Sequence, residues 1–190
     1  MSGLFGGAFD PPHNGHVRLV QAAQRALGLE TVDVLVSEAA AHKLVETPAA
    51  TRLALARAAF PSHRVLLDAH PRTVDLLRDH PEWHEATFLL GADEFCAFPA
   101  WKEPDEVLRL VRLGVATRPG YPPSRLDAVL RLLKRPERVS FFELEPLPIA
   151  SRELRGRLDR GEDVREFVPA PVWETIERDG LYGRGYTGGG

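Results

Sequence analysis

Six short apolar runs, most of them followed by a segment of helical period, constrain this chain more than any other feature. They are Leu4-Phe5, Val32-Asp33-Val34-Leu35-Val36, Val65-Leu66-Leu67, Thr87-Phe88-Leu89-Leu90, Leu113-Gly114-Val115-Ala116 and Val139-Ser140-Phe141-Phe142. Short runs of this kind, bounded by turn residues, read as buried strands. The first helix is expected from Asn14 to Leu27, with Val17, Val20, Ala23 and Leu27 on one face and Gly28 as its stop. Thr47 reads as the cap, and Pro48 as the first residue, of a helix running through Phe60. Thr73, Pro104 and Pro123 open further helices, and 151–160 and 171–179 supply two terminal ones. Strand-then-helix repetition requires crossovers, which are right-handed and give a mostly parallel sheet with helices on both faces. The expectation is an α/β, Rossmann-like, doubly wound single domain over 1–185, with the C-terminal helices 151–182 part of it and 186–190 a disordered tail.

Composition agrees with one globular domain: 44% hydrophobic and 27% charged residues in a chain of 190. With a formal net charge of −3 nothing suggests the large, strongly basic surface of a sequence-blind nucleic-acid binder. Any phosphate binding must then be local. The single cysteine, Cys96, rules out an internal disulfide and an all-thiolate metal site; it reads as a small buried apolar residue. No stretch approaches the ~18 consecutive apolar residues of a membrane helix, and the start lacks the basic and apolar regions of a signal peptide. A cytoplasmic protein without nucleic-acid or membrane partners is expected. Its oligomeric state, a homo-oligomer included, stays open. His80 and His84 have a helical ligand spacing, but Pro81 stands between them and ends a helix there, so no metal-binding residues are assigned.

In open sheets of this kind ligands bind beyond the carboxyl ends of the strands. The first loop in such a position is Gly6-Gly7-Ala8-Phe9-Asp10-Pro11-Pro12-His13-Asn14-Gly15-His16. Paired glycines let a backbone approach a ligand, and the helix beginning near Asn14 aims its N–H groups and positive dipole end at that place. An anion is the natural guest. His13 and His16, three residues apart across the helix start, bring two imidazole donors to one site. No Gly-Lys-Ser/Thr follows the glycines, and the G-x-G-x-x-G spacing is absent, which argues against a P-loop ATPase and a plain dinucleotide dehydrogenase.

That loop closely resembles the G-G-x-F-D-P-x-H-x-G-H motif of the nucleotidyltransferase superfamily, above all of bacterial nicotinate-nucleotide adenylyltransferases. The resemblance continues along the chain. His42-Lys43, Thr73-Val74-Asp75, Gly91-Ala92-Asp93, Trp101 and Arg118-Pro119-Gly120 match family elements in order. So do Ile149-Ala150-Ser151-Arg152-Glu153-Leu154-Arg155, Phe167-Val168-Pro169 and Gly180-Leu181-Tyr182. Departures are Ala40-Ala41 in place of two prolines, Ala150 in place of a serine and Arg152 in place of a threonine.

The resemblance implies adenylyl transfer from ATP to nicotinate mononucleotide in NAD biosynthesis, with Mg²⁺ bound mainly through ATP phosphates. It implies catalytic roles for His13, His16 and Arg155. ATP and phosphate contacts fall to Gly6, Gly7, Ala8, Phe9, Gly15, Gly91, Asp93, Arg118 and Ser151, and acceptor contacts to Lys43, Thr73 and Trp101. Read from the residues alone, Asp93 is equally an N-cap of a short helix, Trp101 core filling, and Lys43 a solvated charge. Pantetheine-phosphate adenylyltransferase, which shares the glycine-rich loop, and a nucleotide sensor of the same fold without turnover are the competing functions.

Overall fold

A computed structural model describes residues 1–38, 47–145 and 147–183. All six expected strands are present: β1 (Ser2–Gly7), β2 (Thr31–Ser37), β3 (Val65–Asp68), β4 (Thr87–Gly91), β5 (Arg112–Thr117) and β6 (Val139–Glu143). They form a six-stranded sheet in the order β3-β2-β1-β4-β5-β6. The β1–β4, β2–β3, β4–β5 and β5–β6 ladders are parallel. Chain order reverses direction between β1 and β4, where Gly3 pairs with Thr87 and Leu4 with Phe88. This is the Rossmann-like strand order, and such a reversal is where α/β sheets bind ligands.

The helices are α1 (Asn14–Leu27), α2 (Ala49–Ala59), α3 (Thr73–Asp79), α4 (Ala92–Ala97), α5 (Pro104–Leu110), α6 (Pro123–Leu130), α7 (Ser151–Asp159) and α8 (Ala170–Asp179). α1 has the expected bounds, and Gly28 ends it at φ +64°, a left-handed turn that glycine adopts without a Cβ penalty. α2 departs from expectation. Thr47 does not cap it: Pro48 holds the N-cap position at φ −53°, ψ 145°, with no side-chain cap bond, and the helix starts at Ala49. The Thr47 hydroxyl is buried without a partner, while the Thr47 carbonyl accepts a bond from Arg52. α3 stops at Asp79 and Pro81–Trp83 form a separate 3₁₀ turn, as Pro81 requires.

The described residues fall into two compact units: 1–6, 19–33 and 70–145 in one, and 7–18, 34–38, 47–69 and 147–183 in the other. In the first, Leu4, Phe95, Phe98, Val107, Leu108, Leu113 and Val115 are essentially inaccessible and form its core. Trp83, also buried there, donates its indole N–H to Asp33 Oδ2 at 2.9 Å, so the polar handle of a large apolar side chain is satisfied. The second unit packs α2 with α8 and buries Phe9, Val34, Leu55, Phe60, Leu154, Val172 and Ile176. Tail residues 186–190 lie outside the described residues. No described helix is long and apolar enough to cross a membrane.

Candidate active site

The loop leaving β1 is held by hydrogen bonds from Arg52, Ser151, Arg155 and Tyr182. Its residues Phe9 to His13 are all buried, and Phe9 takes a left-handed φ of +52°. The Phe9 ring fills the space that glycine leaves at position 7, where an added Cβ would lie 3.1 Å from it. It also meets the rings of His16 (5.1 Å between centroids) and Phe60 (5.9 Å) edge-on.

The two imidazoles come together at the start of α1. Their rings stack with centroids 3.7 Å apart and planes 22° from parallel. Gly15 makes this possible, because a Cβ there would sit 2.9 Å from His13 Nδ1. The backbone N–H of His13 donates to His16 Nδ1 at 3.1 Å. An accepting Nδ1 carries no proton, so the neutral His16 ring carries its proton on Nε2. Burial pulls the pKa of His13 down from 6.5 to about 4, leaving it neutral at pH 7. Its Nδ1 is buried without a hydrogen-bond partner. A neutral imidazole has one N–H and one acceptor nitrogen, and a bare acceptor inside is cheaper than an orphaned N–H, which favours a proton on Nε2 here as well. The pair is therefore set up as two neutral donors beside a helix N-terminus, a combination suited to phosphate oxygens.

Four side chains hold this loop from below. Ser151, first residue of α7, donates its hydroxyl to the Pro11 carbonyl at 2.9 Å. One turn later Arg155 Nη1 donates to the Asp10 carbonyl at 2.6 Å. The same nitrogen lies 3.6 Å from Asp10 Oδ2, within ion-pair range though too long for a hydrogen bond, which is why that oxygen also counts as unbonded. Tyr182 donates its phenol to Asp10 Oδ1 at 2.8 Å, with both residues buried. Arg52, 1% exposed, donates to the Ala8 carbonyl at 2.9 Å. Ser151 and Arg155, expected to face phosphate, thus spend at least one donor each on the loop backbone. Arg152 is exposed.

Arg52 had no place among the sequence-based candidates, and Tyr182 and Asp10 appeared only inside motifs. One signal existed for Arg52. It shares the buried face of α2 with Leu55, Ala56 and Ala59, so a charged residue occupies an i, i+3, i+4, i+7 apolar stripe.

The first unit holds the other expected residues. Gly6 closes β1. Gly91 ends β4, and a Cβ added there would meet nothing within 4 Å, so packing does not account for the glycine. Asp93 is exposed in the first turn of α4 and is not its N-cap, which is Gly91. Its Oδ1 accepts from the Tyr121 hydroxyl at 3.2 Å. A hydrogen bond with Cys96, together with burial and the Asp93 charge, pushes the Tyr121 phenol up to about 12. Cys96 is half-buried and 3.5 Å from that hydroxyl, more exposed than expected for a core thiol. Arg118 is exposed and lies 5.6 Å above the Tyr121 ring. Thr73 is the first residue of α3. The Trp101 indole is half-buried, edge-on to Phe88 at 6.2 Å and tilted on Phe98 at 5.2 Å. Lys43 lies outside the described residues.

Among the described residues no group of three or more His, Cys, Asp or Glu is arranged to hold a metal ion. The donor set around α1, imidazoles and peptide N–H groups, suits phosphate oxygens, and Mg²⁺ brought by a triphosphate keeps most of its ligands as phosphate and water.

Residues 4–157 match the cytidylyltransferase-like family. A Rubrobacter xylanophilus protein named "Probable nicotinate-nucleotide adenylyltransferase" is 36% identical, over 95% of this chain and 91% of its own. A Thermus thermophilus protein of the same name is 35% identical, over 95% and 98%. The structure of Plasmodium falciparum nicotinic acid mononucleotide adenylyltransferase complexed with NaAD superposes with a TM-score of 0.77 at 18% identity, covering 95% of this chain and 96% of that one. With that likeness in fold and those relatives in sequence, the chain belongs to the cytidylyltransferase-like nucleotidyltransferases and, within them, to the nicotinate-nucleotide adenylyltransferase family.

Proposed function

We infer that the protein transfers the adenylyl group of ATP to nicotinate mononucleotide, releasing pyrophosphate and forming nicotinate adenine dinucleotide. The observation that carries this reading is the stacked His13–His16 pair at the start of α1, directly after β1. A phosphate oxygen of the acceptor bonds to the α-phosphorus of ATP while the bond to the bridging oxygen of the β-phosphate breaks, and pyrophosphate leaves with that electron pair. No side-chain nucleophile is needed. The reaction asks for alignment and for donors aimed where charge accumulates on non-bridging and leaving oxygens.

In this reading His13 and His16 donate through Nε2 to triphosphate oxygens, and the N–H groups of the loop and of the first turn of α1 add to them. Ser151 and Arg155 keep the loop in place by donating to its backbone carbonyls. Gly6, Gly91, Asp93 and Arg118 serve the ATP nucleoside and phosphates, and Thr73, Trp101 and Lys43 the acceptor. Mg²⁺, when bound to the triphosphate, neutralises part of the charge that leaves with pyrophosphate.

Purified protein incubated with ATP, Mg²⁺ and one acceptor at a time tests this, with pyrophosphate followed over time. Rapid release with nicotinate mononucleotide is expected. Release only with phosphopantetheine would make it a pantetheine-phosphate adenylyltransferase, and ATP binding without release from any acceptor would make it a sensor.

A further inference from the structure

Arg52 is the largest fully buried side chain of the described residues, and four of the five N–H donors of its guanidinium go to main-chain oxygens. Nε donates to the Thr47 carbonyl at 3.0 Å, Nη1 to the Ala8 and Ser37 carbonyls at 2.9 and 2.7 Å, and Nη2 to the Glu38 carbonyl at 2.9 Å. One planar fork thereby ties three separate pieces of backbone: the glycine-rich loop, the carboxyl end of β2 and the residue two before α2. None of the four acceptors is a carboxylate. Burial works against the charge and lowers its pKa, opposed by the more distant Asp10 and Tyr182. A buried charge held only by carbonyls is a poor stabiliser compared with an apolar side chain of similar size. Its value must lie in the geometry it imposes.

That geometry bears on the reactive loop. A peptide unit is planar and trans, so its C=O and N–H point in opposite directions. Pinning the Ala8 carbonyl on the guanidinium turns the Phe9 N–H away from Arg52, and it does so in the turn where Phe9 holds φ +52°. The Phe9 ring in turn touches the His16 ring.

We propose that Arg52 is a positioning residue for adenylyl transfer: by fixing the Ala8 carbonyl against the end of β2 it sets where the loop's donors and the His13–His16 pair meet the triphosphate. The proposal rests on the adenylyl-transfer reading above. It predicts a loss in kcat that exceeds any loss of folded protein. Arg52→Lys keeps the charge but replaces a planar fork with a point donor, and Leu55→Ala, at a buried neighbour on the same face of α2, gives a destabilised chain with the fork intact.

Both variants are assayed at a temperature where circular dichroism shows them folded. Arg52→Lys is expected to lose about 10- to 100-fold in kcat per folded molecule, with the KM of nicotinate mononucleotide within about twofold of wild type. Leu55→Ala is expected to keep kcat within about twofold. Wild-type turnover in Arg52→Lys, or an equal loss in Leu55→Ala, overturns the proposal. If the lysine variant does not fold, Arg52→Gln replaces it, and a failure of both to fold makes Arg52 a folding residue and also overturns it. A wild-type protein that releases no pyrophosphate with any acceptor would instead overturn the adenylyl-transfer reading itself.

Discussion

The loop after β1 and the loop after β5 occupy the same kind of position, beyond the carboxyl end of a strand, and are built in opposite ways. After β1 the backbone from Phe9 to His13 is buried and three carbonyls have a side-chain donor: Arg52 for Ala8, Arg155 for Asp10, Ser151 for Pro11. After β5, Arg118, Pro119 and Gly120 are exposed, and the side-chain anchoring runs through one phenol, from Tyr121 to Asp93 at 3.2 Å and to the Cys96 sulfur at 3.5 Å. That second loop borders a groove of about 510 Å³ lined by Thr117, Arg118, Tyr121, Leu126, Phe141 and Glu143. The difference teaches where rigidity is needed. On the adenylyl-transfer proposal the first loop carries donors to transition-state charge, which lose their effect if they must reorganise, and the second contacts only the bound nucleoside, a task that tolerates adjustment.

The largest effect should come from the rigid loop's own donors. His16→Ala is expected to lower kcat by about 10²–10³ while leaving the chain folded, read by pyrophosphate release beside circular dichroism, and His13→Ala should be at least as damaging. Wild-type turnover in His16→Ala would erase the contrast between the two loops.

Next comes an effect of pH on stability. Burial holds the folded pKa of His13 near 4, below the 6.5 of an exposed ring, and burial lowers His63 in the same direction. Below the ordinary value the unfolded chain takes up a proton that the folded ring refuses. Stability is therefore full above that value and falls as pH drops from 6.5 towards 4. The His13 share is on the order of 3 kcal/mol when the whole window is crossed. Because carboxylates titrate in the same range, the readout is a difference: urea midpoints of His13→Ala should fall less steeply with acid than those of wild type. Parallel curves would mean that the ring is not buried neutral.

Smaller again is the cost of loosening one clamp. Tyr182→Phe leaves a buried Asp10 oxygen without its donor and should lower stability by about 1–3 kcal/mol, seen in chemical denaturation, with an accompanying drop in kcat. The matching change in the other loop, Tyr121→Phe, removes a bond to an exposed carboxylate and should cost below about 1 kcal/mol and leave kcat nearly unchanged. Equal losses in the two variants would break the comparison.

Which of these features the amino-acid order could reveal follows from their range. Strands and helix starts were legible because their signals are local: apolar runs such as Thr87 to Leu90, and prolines at helix starts such as Pro104 and Pro123. The histidine pair was legible because both members sit in one short motif. The clamping contacts were not, although Ser151 and Arg155 stand among the expected site residues. Tyr182 reaches Asp10 across 172 positions and Arg155 across 145, distances over which no periodicity carries information. Thr47 misled for the opposite reason. A threonine before a proline is a sound local cap signal, but the Arg52 network claims the Thr47 backbone and leaves Pro48 at the helix boundary.

The most direct test is a crystal structure with Mg²⁺ and a non-hydrolysable ATP analogue. Triphosphate oxygens are expected about 3 Å from Nε2 of His13 and His16, with the backbone between Gly7 and His13 little moved. An analogue seated elsewhere, with both imidazoles touching no phosphate, would contradict it.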